Sequence, residues 1–307
     1  MHDGGHAGPP THASDSFAGG CLSAVIRSVL LFPRDGDAAR AATQHAAKML
    51  RQWGIEVAVP LGVSDVEGCR EIDVLTDAAG IDLALALGGD GTLLRVAHHV
   101  GDAGVPVMGV NLGNLGFLTA FPAKDLDLAL QQVRDGGLVW EPRLRMRVDV
   151  VRDQGSWSET GCNDAYIKHG AMPRMLQIAT SVGGSPMADY RADGLIVCTP
   201  MGSTAYNLAA GGPIVDHGTD TFTITPICPH SLTHRPVVTS AERAIRVVYE
   251  GPADAGPATL SVDGVWSRAL EVGDEISIRR AAHPLKLVPA PASVFDVLAH
   301  KMGWTVG

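Results

Sequence analysis

The sequence predicts an N-terminal parallel α/β (Rossmann-like) domain followed by a C-terminal β-sandwich, and three observations carry that expectation. Up to about Arg143, short apolar runs alternate with helical stripes, as in a parallel sheet with right-handed crossovers. From Leu144 onward the period drops to two, and turn residues separate short strands, as in antiparallel sheets. Between one buried strand and the next helix lies Gly88-Gly89-Asp90-Gly91-Thr92, at the end of the sheet where such domains bind ligands.

The first strand is expected at 28–32, ended by Pro33. Ala42, Ala46, Met49, Leu50 and Trp53 then share one helical face across 37–53, with Gly54 as the stop. Strands follow at 55–61, 81–87 and 105–110. After the glycine run, Leu93, Val96, Ala97 and Val100 form a helical stripe, with Thr92 as its N-cap. In the second half, Leu144, Met146, Val148 and Val150 alternate with Arg145, Arg147 and Asp149. Further strands are expected at 174–182, 194–198, 221–227, 244–249, 259–262 and 275–279, with a short helix at 204–210. Phe295, Val297, Leu298 and Met302 recur at helical spacing, predicting a terminal helix that returns to the first domain. The expected division is a disordered extension at 1–24, an α/β domain at 25–142 joined by the tail 290–307, and a β-sandwich at 143–289.

The 307 residues, 46% of them hydrophobic, suffice for two cores. A net charge of −9 argues against a nucleic-acid partner, which calls for a basic face. No apolar run is long enough to span a membrane, and the N-terminal residues lack the pattern of a signal peptide. Five scattered cysteines (Cys21, Cys69, Cys162, Cys198, Cys228) without a C-x-x-C pair fit reduced thiols in the cytoplasm, with Cys228 expected as a small buried hydrophobe. His2, His6 and His12 read as part of a solvated tail, and His230 and His234, flanked by Pro229 and Pro236, as loop or packing residues. No metal site is expected from these residues.

The glycine run can bring backbone close to a phosphate, because glycine lacks a Cβ and tolerates positive φ, and the following helix aims unpaired N–H groups at an anion. Asp90 is out of place beside phosphate unless it accepts a proton from a substrate hydroxyl or grips a sugar hydroxyl. Asn111-Leu112-Gly113-Asn114-Leu115-Gly116-Phe117-Leu118-Thr119 ends the fourth strand at the same edge, either walling the crevice or forming a structural turn. Asn163-Asp164 suits a vicinal diol, or a plain turn. The stretch 193–213 runs from an apolar strand into small hydroxyl residues, a short helix and Gly211-Gly212. There a flat ring can lie on the backbone with Thr204 and Tyr206 at its polar edge, or two domains can pack tightly. Arg95, Arg174 and Arg191 stand near these motifs, to meet substrate phosphate or surface carboxylates. The P-loop, the G-x-G-x-x-G fingerprint, the protein-kinase set and the G-x-S-x-G elbow are absent.

Taken together, and with the ending Lys301-Met302-Gly303-Trp304, these motifs resemble the NAD kinase family of bacterial type over residues 28–304. Gly88 to Thr92 alone is shared with phosphofructokinases and with lipid kinases; the other motifs narrow the resemblance. It implies phosphorylation of the 2′-hydroxyl of the adenosine ribose of NAD by ATP or polyphosphate, with Mg²⁺ arriving on the donor. Asp90 is then the general base or orienting acceptor, with Gly88, Gly89 and Thr92 in the phosphate loop. Gly91 and Arg95 lie against the dinucleotide or the donor phosphates, and Asn163 and Asp164 hold the other nucleotide's sugar. Arg174, Arg191 and Asp193 line the cleft, while Thr204, Ala205, Tyr206, Asn207, Leu208 and Ala209 carry the adenine near Phe117. Met201, Asn207, Ala209 and Val265 depart from the commonest family pattern. The resemblance also implies a homodimer or homotetramer. Two rival readings are a lipid or sugar kinase with the same glycine run, and an NAD-binding sensor without turnover.

Overall fold

Alternate residues of one strand face two different cores, and this decides how the first domain is layered. In Ser28–Pro33, Val29 and Leu31 join one apolar cluster while Leu30 and Phe32 join another. A strand buried on both faces needs helices on both sides, as in parallel α/β sheets. The computed structural model describes residues 19–21, 25–63, 66–113, 116–119, 121–152, 155–170, 175–251, 258–289 and 294–304.

The first sheet contains β1 (Gly20–Cys21), β2 (Ser28–Pro33), β3 (Glu56–Pro60), β4 (Arg70–Ile72), β5 (Leu83–Gly88), β6 (Val107–Asn111), β7 (Phe121–Pro122) and β8 (Val139–Arg143). Helices α1 (Asp37–Gln52), α2 (Val74–Asp77), α3 (Asp90–Val100) and α4 (Leu126–Asp135) connect them. The strands β6, β5, β2, β3 and β4 pair in parallel in that order. Residues of α1 and α4 share one cluster, and those of α2 and α3 the other. The chain therefore leaves β2 and β5 toward opposite faces, and a crevice opens between their carboxyl ends. α4, β4 and α2 were not anticipated from the sequence.

The second domain stacks two antiparallel sheets over one core that includes Met146, Ile167, Ile178, Val197, Phe222, Val247, Tyr249 and Ile278. Its strands are β9 (Met146–Arg152), β10 (Gly155–Gly161), β11 (Asp164–His169), β12 (Leu176–Val182), β13 (Ser185–Ala192), β14 (Gly194–Cys198), β15 (Thr221–Ile227), β16 (Val237–Ser240), β17 (Ile245–Gly251), β18 (Ala258–Val262), β19 (Trp266–Leu270) and β20 (Glu275–Arg280). The sheet orders are β10-β9-β20-β17-β12-β13 and β16-β15-β14-β11-β18-β19. A 3-10 turn (Met201–Thr204) and the one-turn helix α5 (Tyr206–Ala209) stand where one longer helix was expected.

Two segments depart from the expected division. Gly20–Cys21, inside the segment expected to be disordered, pairs antiparallel with Val139–Trp140 on the edge of the first sheet. A Cβ at Gly20 would fall 2.4 Å from the Trp140 ring, so glycine is what lets the chain lie flat on the indole. The chain also returns to the first domain before residue 290: β21 (Leu285–Leu287) inserts between β6 and β8. Helix α6 (Val294–Met302) follows, with Val297 and Leu298 buried.

Three ties join the domains. Cys162 and Met201 of the β domain sit in the same apolar cluster as Leu94 and Leu118. His98 bonds the Thr160 carbonyl at 3.1 Å and lies 3.4 Å from the Glu159 carboxylate. Arg145, only 1% exposed, donates to Asp102 at 2.8 Å, and Gly101 leaves room for its guanidinium. Asp102 itself is largely in solvent, yet among the described residues it is the carboxylate paired with this buried cation. Removing it leaves that cation uncompensated, so Asp102→Ala is expected to cost about 2–3 kcal/mol, well above an ordinary surface change. Urea unfolding against a control such as Asp125→Ala checks this, and equal losses would refute it.

Candidate active site

The site is built from the end of β5 outward. Gly88 closes the strand, Gly89 caps α3 with extended backbone, and the helix begins at Asp90. Thr92 is thus the third helical residue and not the expected cap; its N–H and that of Leu93 bond back to the Gly89 carbonyl. Gly88, Gly89 and Gly91 are also not in the left-handed region, so positive φ is not why glycine stands here. The reason at Gly88 is space, because a Cβ there would lie 2.2 Å from the Thr92 hydroxyl. A Cβ at Gly89 or Gly91 would meet nothing within 4 Å. Both open toward solvent, and the N–H groups of Asp90 and Gly91 have no helical acceptor, as an anion site requires.

Asp90 turns its carboxylate back onto the loop after β6. Its Oδ2 accepts the Phe117 N–H at 2.8 Å, while Oδ1 accepts the Leu118 and Thr119 N–H groups at 3.1 and 3.2 Å and the Thr119 hydroxyl at 3.3 Å. Gly116 must lack a side chain, since its Cβ would fall 2.1 Å from Oδ1. Asn111 ties the same loop by donating to Thr119 Oγ1 and accepting from Gly113 N–H. Over Phe117, the Lys301 ammonium of α6 stands 4.3 Å from the ring centroid, a contact that no spacing rule announced.

On the β domain, Asn163 and Asp164 are buried at the start of β11, on the wall of a cleft of about 390 Å³. Tyr166, Lys168, Ala205, Tyr206, Asp263 and Gly264 complete the lining. The Tyr166 and Tyr206 rings meet edge-on at 5.2 Å. Asn163 Oδ1 is buried without a hydrogen-bond partner among the described residues, an acceptor that calls for a donor from outside. Burial, and then the neighbouring Asp263 charge, push the Asp164 carboxyl up to about 7. The two half-sites meet across the Leu118–Cys162–Met201 cluster, and Gly202 packs its Cα against the Asn163 carbonyl, where a Cβ would come within 2.1 Å.

The remaining expected residues divide. Thr204 and Leu208 are half-buried, and Ala209, Arg191 and Asp193 are exposed. The charges of Asp164 and Asp193 both help hold the Tyr206 phenol above its usual range, though burial is the larger cause. Arg95 is drawn over the Phe32 ring, 5.8 Å from its centroid. Arg174 lies outside the described residues. Asn207 is a correction: its amide donates to the Ser203 and Pro213 carbonyls and accepts the Thr225 hydroxyl, and the side chain is fully buried, out of a ligand's reach. Met201 belongs to the interdomain core. Cys228 is exposed at φ +46° just after β15, where the chain turns, and so is not the buried hydrophobe expected. The pocket residue that sequence reasoning passed over is Asp263; an Asp-Gly pair just after one strand pattern was its only signal.

An open glycine turn at the switch point of an α/β domain, joined to an antiparallel β domain that carries an acidic pocket, is the build that a two-domain protein of the phosphoryl-transfer class requires. Residues 38–138 match the ATP-NAD kinase N-terminal domain and residues 162–290 the ATP-NAD kinase C-terminal domain. The chain is 43% identical over 243 residues to the NAD kinase of Koribacter versatilis, covering 79% of this chain and 84% of that one. It is 42% identical over 228 residues to the NAD kinase of Symbiobacterium thermophilum, covering 73% and 80%. Its fold superposes on a yeast NADH kinase complexed with NADH at a TM-score of 0.83, with 25% identity and coverage of 92% and 89%. The fold of an NAD kinase from Archaeoglobus fulgidus in complex with ATP also superposes, at a TM-score of 0.69 with 24% identity and coverage of 92% and 100%. The chain belongs to the NAD kinase family.

The raised Asp164 carboxyl has a stability consequence with a definite sign. Between pH 4 and about 7 the folded chain holds a proton that the unfolded chain has released, so stability falls as pH rises through that window. Asp164→Asn removes the cost, which amounts to about 2–4 kcal/mol at pH 8 and vanishes near pH 4. Urea unfolding of parent and variant at both pH values checks this; a pH-independent difference would overturn it.

Proposed function

We propose that this chain transfers a phosphoryl group from ATP to the 2′-hydroxyl of the adenosine ribose of NAD, making NADP. The observation that carries the reading is an unpartnered Asn163 Oδ1 beside the Asp164 carboxylate on the wall of one cleft, in a chain that also presents the open Gly88–Thr92 turn. A carboxylate and an amide oxygen accept from a sugar diol, and helix N–H groups bind phosphate. Family membership supports the same pairing of substrates.

In this mechanism the open backbone of Gly89 and Gly91 cradles phosphate, with Gly88 giving Thr92 its place beneath the turn. Asp90 accepts the proton of the attacking hydroxyl: its Oδ2 holds a single N–H and keeps a free lone pair, while Oδ1 is occupied by the loop. Ala205 and Tyr206 receive the flat base, with Thr204, Leu208 and Ala209 around them and Phe117 across the cleft. Arg95, Arg174, Arg191 and Asp193 bear on the outer phosphates and sugar. Asn207 acts only by holding this segment in shape.

Among the described residues, no three His, Cys, Asp or Glu side chains stand close enough to hold a metal. In this reading Mg²⁺ arrives on the donor with most of its waters, and its chemistry would be to neutralise charge on the donor phosphates. Inorganic polyphosphate is a second donor in this reading. We place the reaction in the cytoplasm, which the free thiols of Cys69, Cys162, Cys198 and Cys228 support. No described helix is long and apolar enough to cross a membrane. A homodimer or homotetramer is the expected assembly, supported by exposed Tyr206, Leu232, Val237, Val238 and Val265 on or beside one sheet of the β domain.

Purified protein with NAD, Mg²⁺ and either ATP or polyphosphate, followed by an NADP-specific dehydrogenase, tests the reaction and the donor together. NAD binding without NADP formation would replace this reading with that of a sensor. Asp90→Asn is expected to lower kcat at least 100-fold. Because an amide presents N–H toward donors that a carboxylate accepts, faster hydrogen exchange at Phe117–Thr119 should accompany the loss. A variant retaining kcat with that loop loosened would make Asp90 structural only.

A further inference from the structure

Asp263 occupies the turn between β18 and β19, with positive φ at both Asp263 (+53°) and Gly264 (+67°). Asp tolerates that region better than most side chains, so the turn permits it and the surroundings decide where its carboxylate goes. Here the surroundings are three successive peptide N–H groups of the acceptor pocket. Asp263 Oδ2 accepts from Cys162 at 2.6 Å, and Oδ1 from Asn163 at 2.7 Å and Asp164 at 3.0 Å. In return the Asp263 N–H donates to the Asp164 carbonyl at 2.8 Å. Four bonds thus connect one hairpin residue to three residues of another strand's start, with Gly161 clearing the way for the carboxylate.

We propose that Asp263 is the positioning residue of the sugar pocket: its buried carboxylate fixes the Cys162–Asp164 backbone so that Asn163 Oδ1 and the Asp164 carboxylate, neither with a partner among the described residues, face the cleft. The assignment rests on the reading of that pocket as the acceptor site of NAD. Charge is the second part of the role. Burial chiefly, and then repulsion from the Asp263 carboxylate, push the Asp164 carboxyl up to about 7, where a proton competes with a diol. The other titratable or charged groups around the pair are Tyr166 and Lys168 on β11, Cys198 on β14, Tyr206 on α5, Asp193 between β13 and β14, and His98 of α3 facing Asp263. Of these groups and Asp263, it is the Asp263 charge that raises the Asp164 carboxyl, after burial.

The test is NAD binding by calorimetry from pH 5.5 to 9, without donor, so that ATP titration does not intrude. Affinity in the parent should rise with pH, with a midpoint near 7, as Asp164 ionises. In Asp263→Asn the charge is gone, and the midpoint should fall, with affinity at pH 8 about 5–20-fold weaker because the three N–H groups lose their acceptor geometry. Asp263→Glu keeps the charge while misplacing it, so affinity weakens with the midpoint kept; it carries the test should the Asn variant not fold. The KM for ATP in either variant should stay within about twofold of the parent. An unchanged midpoint in Asp263→Asn, a flat profile in the parent, or KM values for ATP and NAD rising together with a loss of Tm would overturn the assignment. Parent protein that binds no NAD at any pH would instead remove the reading of the pocket on which it rests.

Discussion

Four donors converge on the Asp90 carboxylate, and the shape of the ligand end of the first sheet depends on them. Without that acceptor, three peptide N–H groups between β6 and β7 would need water, and the loop would lose its reason to bend back over α3. With it, Gly116 approaches the carboxylate, Leu118 enters the interdomain cluster, and Phe117 is presented to Lys301 of the terminal helix. A residue whose sequence context suggested chemistry alone is therefore also the staple of its own surroundings. The two roles are compatible because a carboxylate has more acceptor sites than the loop uses.

The second domain repeats the device with different parts. Asp263 also uses a carboxylate to gather successive N–H groups, at Cys162, Asn163 and Asp164. The pocket that results holds two carboxyls close together under little solvent, an arrangement that costs folding stability above neutral pH. Such a cost is typical of binding pockets, where acceptors are kept unpaired for a ligand. Cys162, next to this turn, is buried in the apolar cluster that α3 supplies, so one short segment serves both pocket and domain contact.

Packing decided several assignments that composition left open. Asn207 sits in a stretch rich in small polar residues, and any of them looks ready for a ligand. Only the fold shows that its amide is buried and bonded to Ser203, Pro213 and Thr225. Met201, a departure from the commonest family pattern, fills space between the domains. Strands β10, β13 and β19 escaped notice because their exposed, polar or proline-bearing sequences give no clean alternation, and they form by pairing with stronger neighbours. The 290 boundary came out late because three residues, Leu285–Leu287, are too few to announce a return to another sheet.

The sequence by itself determined the order of the two architectures, since apolar runs buried on both faces and period-two strands are local patterns. It also determined where the Gly88–Thr92 turn and the Asn163-Asp164 pair lie along the chain. Only the tertiary structure decided what each acceptor binds. Asp90 reaches across 27 residues to Phe117, and Asp263 across 101 to Cys162. A hydrogen bond at that separation depends on how sheets and helices pack, so no local spacing in the chain can specify it.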